Sequence, residues 1–440
     1  MLFMMKRKQL VEILTSRYLF VLGFLTVCAI LLDLAVIAAR PLDFKDGGNI
    51  TWWKIIHSVE NGKGYKACDE SYVPNCMLTN QVTAMREPLT VFIYAVVSEL
   101  TSDSSFALQL LQLVFDLLIL WGVFVLGQEL GGRILGLIAA FVWTLYLPTL
   151  RVEAHLNGDL LAGVFVTLGL FMFTRAIKFG KTRDWIGFGL LFGLAVLSRS
   201  STLLVALTLL GVYGLSWLFK KSFMLGGIKE LLLASVALAL TVSPWVIRNE
   251  IVFHQPIFGT TLIGYNLYRH NAIVVTDVLP HYVGSDEATR EIKALVQRVP
   301  ELRTPINEAQ VDIIFRREAL TLIGAHFNEY IELVLYRFIP LWFNIGVLDQ
   351  YGKSMLFLDY LIVIQQAILL IAFVVALWKG DWLLRLLASA VPVFMLSYMA
   401  VDSQLRYMAP LMPVIIVITI VGIGKIDSPS ISQGVDNVVS

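Results

Sequence analysis

Charge is scarce in this chain. Only 15% of its 440 residues are Asp, Glu, Lys or Arg, against about 25% in a soluble globular domain. The 34 basic and 33 acidic side chains nearly cancel, and no basic patch is dense enough for nucleic acid, which is excluded as a partner. Phosphate-cradling loops are missing as well. Neither Gly-x-x-x-x-Gly-Lys nor Gly-x-Gly-x-x-Gly after a strand occurs, so soluble nucleotide chemistry is excluded. There are three cysteines. Cys28 lies in an apolar block and reads as a buried small side chain. Cys68 and Cys76 flank DESYVPN in a polar loop and can close a local disulfide if that loop faces an oxidising compartment. No internal repeat is present.

Apolar residues are abundant instead, at 57%, and they form long blocks. That is the signature of an all-α polytopic membrane protein. Lys6, Arg7 and Lys8 precede the first block, so the N-terminus is expected on the cytoplasmic side. The block is too long for a cleaved leader, and no small-residue cleavage site stands out. Spans are expected near 18–39, 106–126, 134–147, 160–174, 185–197, 203–218, 231–246, 355–377, 383–401 and 407–423, about ten in all. The basic loop KFGKTRD and the pair Lys220–Lys221 fix the cytoplasmic side, and both termini fall there. Pro88 to Leu100 is too short to span and reads as an interfacial helix. The second long loop holds an amphipathic helix with Ile292, Leu295, Val296 and Val299 on one face. Its EYIELVLYRFIPLWF stretch, with Glu329, Glu332 and Arg337, is expected at the interface. The chain thus divides into a transmembrane module at 1–247 with its first outer loop at 40–105, an outer loop at 248–350, terminal spans at 351–425 and a cytoplasmic tail at 426–440.

With this topology the rare charges collect at the outer mouth. Asp43 and Asp46 open the first loop, and Arg86 and Glu87 close it. Asp159 begins the fourth span, or caps it as an N-cap residue. Arg199 ends the fifth span, where a helix-end anchor is its simplest role, Arg248 ends the seventh, and Arg406 starts the last. Ionisable groups at a membrane edge need a partner or a task. Guanidinium forks suit phosphate oxygens, and a carboxylate can serve as general base toward a hydroxyl. The aromatics Trp52, Trp53, Tyr65 and Tyr72 can stack on sugar rings or form an interfacial belt. His155 and Asp159 stand four apart, but no further ligand is nearby, so a divalent metal is possible but not indicated. A polytopic carrier or flippase for a lipid-linked or anionic solute is the second reading. It would place charge near the membrane midplane and show pseudo-symmetric halves, which differ here.

Five segments in order give a resemblance. They are Asp46 through WWKIIHSVENGKGY to REPL, then GDLLAG, GFGLLFGLAVLSRSSTLL, SPWVIRNEIVFHQPIFG and LRYMAPLMPVI. Together they resemble the membrane-embedded GT-C glycosyltransferases, in the branch of protein O-mannosyltransferases, aminoarabinose transferases and RgtA/WbpQ-like enzymes. The resemblance implies a GT-C fold and a multi-pass protein of a bacterial or archaeal plasma membrane. It also implies inverting transfer, on the extracytoplasmic face, of a sugar from a polyprenyl-phosphate donor to an acceptor hydroxyl on a glycan, lipid or protein. Asp46, or alternatively Asp43, would be the base. Arg248, Arg406 and Arg86 would hold phosphate, with Tyr407, Trp52 and Tyr65 beside them. Glu87 and Asp159 would orient substrate or arginines. Two departures stand out: Asp46 lies further from Tyr65 than is usual, and the fourth-span acid is Asp after Gly158 instead of Glu after Thr.

Overall fold

Backbone inside lipid has to satisfy its own hydrogen bonds, so uncharged apolar runs fold as helices. The computed structural model describes residues 17–45, 48–79, 81–152, 155–219, 227–275, 286–343 and 356–426. Asp46, the N-terminal bases, Lys220–Lys221 and the C-terminal tail lie outside them. Among the described residues no sheet forms, and one antiparallel bridge joins Lys66 and Val82.

Among the described residues, seven stretches are long and apolar enough to cross a membrane. They are α1 (Tyr18–Ala39), α4 (Ser105–Gly131), α6 (Asp159–Phe179), α8 (Thr202–Phe219), α9 (Ile228–Phe253), α15 (Leu356–Lys379) and the pair α16 (Trp382–Ala388) and α17 (Ala390–Met399). The chain is a multi-pass membrane protein. At the other three expected positions stand shorter helices, α5 (Arg133–Thr144), α7 (Thr182–Ser198) and α18 (Met412–Ile426). The sequence of α18 is apolar on every side, and so is its environment. Val414 to Ile418 are fully buried among α4, α5, α6 and α15. Gly189 and Gly193 let α7 approach α9 closely, because a Cβ at either would strike the Ala234 carbonyl or the Thr241 side chain.

The short helices of the two long loops gather at one end of this bundle. In the first loop, α2 (Ile50–Glu60) packs on α3 (Pro88–Thr101). Helix α3 lies where an interfacial helix was expected. It buries Val91, Tyr94 and Ala95 in protein and leaves Phe92, Val96 and Leu100 exposed as an apolar edge. The second loop supplies α10 (Ile263–Asn271), the expected amphipathic α11 (Asp286–Arg298), α12 (Glu308–Ala325), α13 (Phe327–Tyr336) and α14 (Phe338–Phe343). Along α11, Ile292, Leu295 and Val299 are buried. Arg337 sits at the break between α13 and α14, buried inside protein, while Glu329 and Glu332 are exposed. Its guanidinium donates to Asn271 Oδ1 and Met399 O at 3.0 Å and to His270 O at 2.6 Å, and these acceptors replace the water it loses.

Cys68 and Cys76 form a disulfide with their Cα atoms 5.5 Å apart. It closes the tip of the first loop, which touches the second through Asn75 Nδ2 to Leu302 O at 3.3 Å and through the edge of Tyr72 on Tyr265. Loop-closure entropy for so short a ring is worth about 2–3 kcal/mol. Cys68→Ser and Cys76→Ser are therefore expected to lower thermal stability equally, and the double variant to match either single one. An additive loss would contradict the pairing.

Candidate active site

The site begins with Asp159, which has no solvent exposure. It is the first residue of α6, and its side chain makes no capping bond. Its carboxylate forms an ion pair with Arg199 Nη1 at the end of α7. The N-cap reading is thereby corrected, and Arg199 is more than a helix-end anchor. A carboxylate removed from water needs such a cation. Gly158 makes the meeting possible, because any Cβ there would collide with the Ser198 carbonyl. Asn157 completes the turn, its Oδ1 accepting the Asp159 amide at 2.9 Å and its Nδ2 donating to Val152 O and His155 O.

Arg199 continues outward from the pair. Its Nε donates to the Tyr398 hydroxyl at 2.8 Å, and its guanidinium lies 5.5 and 5.0 Å from the rings of Tyr398 and Tyr407, which stack on each other. The Tyr407 hydroxyl donates to Asp402 Oδ2 at 2.6 Å, and His270 Nε2 lies 3.5 Å from the same oxygen. Burial pushes His270 down to about 4, so the ring is neutral at pH 7. Burial opposes ionisation of Asp402 too, yet His270, the Tyr407 hydroxyl and Arg337 together hold its carboxyl below the usual range. Arg406 lies over the Tyr407 ring at 5.3 Å, and both it and Glu87 are within electrostatic reach of Asp159. Glu87 accepts the Ser200 amide and hydroxyl at 3.0 and 2.9 Å, which ties the end of the first loop to the residue after Arg199.

One buried asparagine brings in the opening of the first loop. Asn49 Oδ1 accepts the Leu156 amide, and its Nδ2 donates to the Asp43 carbonyl, both at 2.8 Å. Asn49 therefore fastens the Asp43 backbone to the turn that presents Asp159. Asp43 is exposed, and its Oδ1 accepts the Lys45 amide at 2.8 Å. Phe44 stacks on Trp53 at 3.9 Å.

The arginines differ in how far they are already engaged. Arg248 Nη1 donates to Thr83 O at 2.9 Å and Asn249 Oδ1 at 2.8 Å, its Nη2 reaches Tyr65 O at 3.5 Å, and it lies over Tyr65, Trp245 and Phe253. It holds the returning strand of the first loop. Arg86 is freer. It rests 5.3 Å from the Trp52 ring, and its buried Nε meets no acceptor among the described residues. The Tyr65 hydroxyl donates to the Arg86 carbonyl at 2.9 Å, fixing the backbone beneath it.

Sequence reasoning missed Glu308. It is buried, it accepts Thr83 Oγ1 at 2.6 Å, the Ala84 amide at 2.8 Å and Thr261 Oγ1, and it joins the two loops. Burial raises its carboxyl above the usual range despite these donors. The only local signal was the Asn307–Gln310 capping box that starts α12. Asp33 and Asp116 lie deeper in α1 and α4, where Trp143 Nε1 donates to Asp116 Oδ1 at 3.1 Å.

Residues 85–247 match the family model described as dolichyl-phosphate-mannose-protein mannosyltransferase. The archaeal oligosaccharyltransferase AglB from Archaeoglobus fulgidus, in complex with an inhibitory peptide and a dolichol-phosphate, superposes at a TM-score of 0.57 with 15% identity, over 97% of this chain and 52% of that one. This chain has the GT-C fold. A second form of the A. fulgidus oligosaccharyltransferase, tethered to an acceptor peptide through a disulfide, gives 0.54 at 14% identity, covering 98% and 53%. ArnT from Cupriavidus metallidurans bound to undecaprenyl phosphate gives 0.41 at 13% identity, covering 94% and 79%. The comparison with curated proteins yields no match. This GT-C chain spans about half the length of the oligosaccharyltransferases it resembles.

Removing one partner of the Asp159–Arg199 pair leaves the other buried and uncompensated, at a cost of about 3–5 kcal/mol. Arg199→Met and Asp159→Leu should each lower thermal stability strongly, and the double variant should recover much of that loss. Full additivity in the cycle would contradict a direct pair.

Proposed function

We propose that the chain is a membrane glycosyltransferase that moves a sugar from a polyprenyl-phosphate donor to an acceptor hydroxyl at the extracytoplasmic face. The observation that carries this reading is the Asn49 clasp, which ties the Asp43 backbone to the turn before the Asp159–Arg199 pair, with Glu87 and Arg406 in electrostatic reach of Asp159. A basic and acidic mouth above an apolar bundle suits a lipid carrying an anionic head. The dolichol-phosphate held by the archaeal oligosaccharyltransferase and the family model over 85–247 support the same donor class.

Asp159 is neutralised by Arg199 and sealed from solvent, so it serves to position Arg199 and not as the base. The base falls to the first-loop acids. Asp46 takes the acceptor proton, with Asp43 as the alternative. The acceptor oxygen bonds to the anomeric carbon as the carbon–oxygen bond to phosphate breaks, with inversion, and the lipid phosphate leaves with the bonding electrons. A carboxylate near its ordinary range is a weak base toward an alcohol, so the proton leaves late, once the attacking oxygen has become acidic. Cations near the leaving phosphate lower the barrier. Arg86, with its unengaged Nε, and Arg406 take that task, whereas Arg248 with Tyr65 positions the loop. Trp52 supports Arg86, and Tyr407 aligns Arg199. The active site faces away from the cytoplasm, with both termini inside, in agreement with the basic loops and the loop disulfide.

Purified protein should transfer labelled sugar from a short-chain polyprenyl-phosphate sugar. Asp46→Asn should lower turnover at least about 100-fold with unchanged folding, and Arg86→Ala should lose about 10- to 100-fold. Full activity in both Asp46→Asn and Asp43→Asn would overturn the reading. Movement of the intact donor across vesicles without sugar transfer would instead favour the carrier.

A further inference from the structure

Away from the mouth, α2 ends beside the α3–α4 turn, and three metal-ligating side chains meet there. His57 and Glu60 stand one turn apart on α2, and Asp103 comes from the turn. One ligand atom from each lies within 4.8 Å of the other two, and His57 Nδ1 is 3.6 Å from Glu60 Oε2. We propose that His57, Glu60 and Asp103 bind a divalent transition metal of the zinc type, clamping α2 to the α3–α4 turn.

Four features favour a cation at this point. An imidazole with two carboxylates is a donor set used for zinc, with solvent taking the fourth tetrahedral position. Glu60 Oε2 is nearly shut off from water, and its neighbours are the His57 ring and a second carboxylate, Asp103. Two like charges at that separation repel unless a proton or a cation lies between them. The surroundings are also built to orient the ligands. The buried Ser98 hydroxyl donates to Asp103 Oδ1 at 2.8 Å, which leaves Oδ2 for the metal. Trp53 flanks the His57 ring at 5.6 Å and fixes its plane. Ligand atoms around tetrahedral zinc sit roughly 3.3 Å apart, so His57 and Glu60 are nearly in place.

Trp53 also stacks on Phe44, two residues from Asp46. A metal on His57 would thus stiffen α2, whose Trp53 packs on Phe44 next to Asp43, without touching the reacting atoms. The clamp is independent of the glycosyl-transfer reading, and its test needs no activity.

The full chain, purified in detergent without a histidine tag and stripped with chelator, should bind one zinc ion by calorimetry and gain thermal stability on zinc addition, with little response to magnesium. His57→Ala, Glu60→Gln and Asp103→Asn should each weaken zinc binding by at least about tenfold and abolish the stabilisation, and Ser98→Ala should weaken it about tenfold through lost orientation. Each variant's melting in chelator reports folding separately, and the three ligand variants are independent of one another. Absence of stoichiometric zinc binding, or an equal zinc response in wild type and ligand variants, would overturn the proposal.

Discussion

Asp159 and Arg199 meet where the first residue of one apolar helix touches the end of the next, and much of the candidate site hangs from that contact. Neither charge could remain there alone, since an unpaired buried ion costs several kcal/mol. Paired, they set the depth of the α6–α7 junction, and Gly158 lets the backbones close on it. Arg199 then fixes Tyr398 and, through ring contact, Tyr407, while Glu87 grips the residue that follows. Segments far apart in sequence are thus drawn to one spot.

Around this pair the loops share apolar packing and are also joined by specific polar contacts. Asn49, Glu308, Arg248 and Arg337 each bind backbone or side-chain groups from separate segments. Buried polar networks of this kind are rigid when fully satisfied. Rigidity matters for transfer chemistry, because donors aimed beforehand at a developing charge need no reorganisation. Arg86, supported by Trp52 and by the Tyr65 hydroxyl on its carbonyl, is the cation best kept in reserve for a ligand.

Much of this was legible in the sequence, for a physical reason. Length and apolarity specify membrane helices almost directly, so spans such as α1, α4 and α15 stand where hydropathy puts them. Charges too costly for lipid are few, and Asp159, Arg199 and Arg406 could be singled out by rarity alone. What they touch could not be read. Arg248 and Arg406 look alike in sequence, each beside an aromatic or proline, yet Arg248 is held by loop carbonyls. Arg337 resembled an interfacial residue because its helix is amphipathic, and only tertiary packing supplies the carbonyls that bury it. For Glu308 the capping box marked a helix start but not a buried role. Its role depends on Thr83, Ala84 and Thr261 converging from other segments. His155 and Asp159 stand four apart without further ligands in the sequence, and Asp159 is taken by Arg199.

The central claim is that the scattered acids and arginines form one cavity mouth for a lipid phosphate. A structure of the protein with bound polyprenyl phosphate tests it most directly. The account predicts phosphate oxygens within hydrogen-bond reach of Arg86 or Arg406, with the isoprenoid tail running down the apolar bundle. A phosphate seated on another face, with Arg86, Arg406 and the Asp159–Arg199 pair all out of reach, would contradict it.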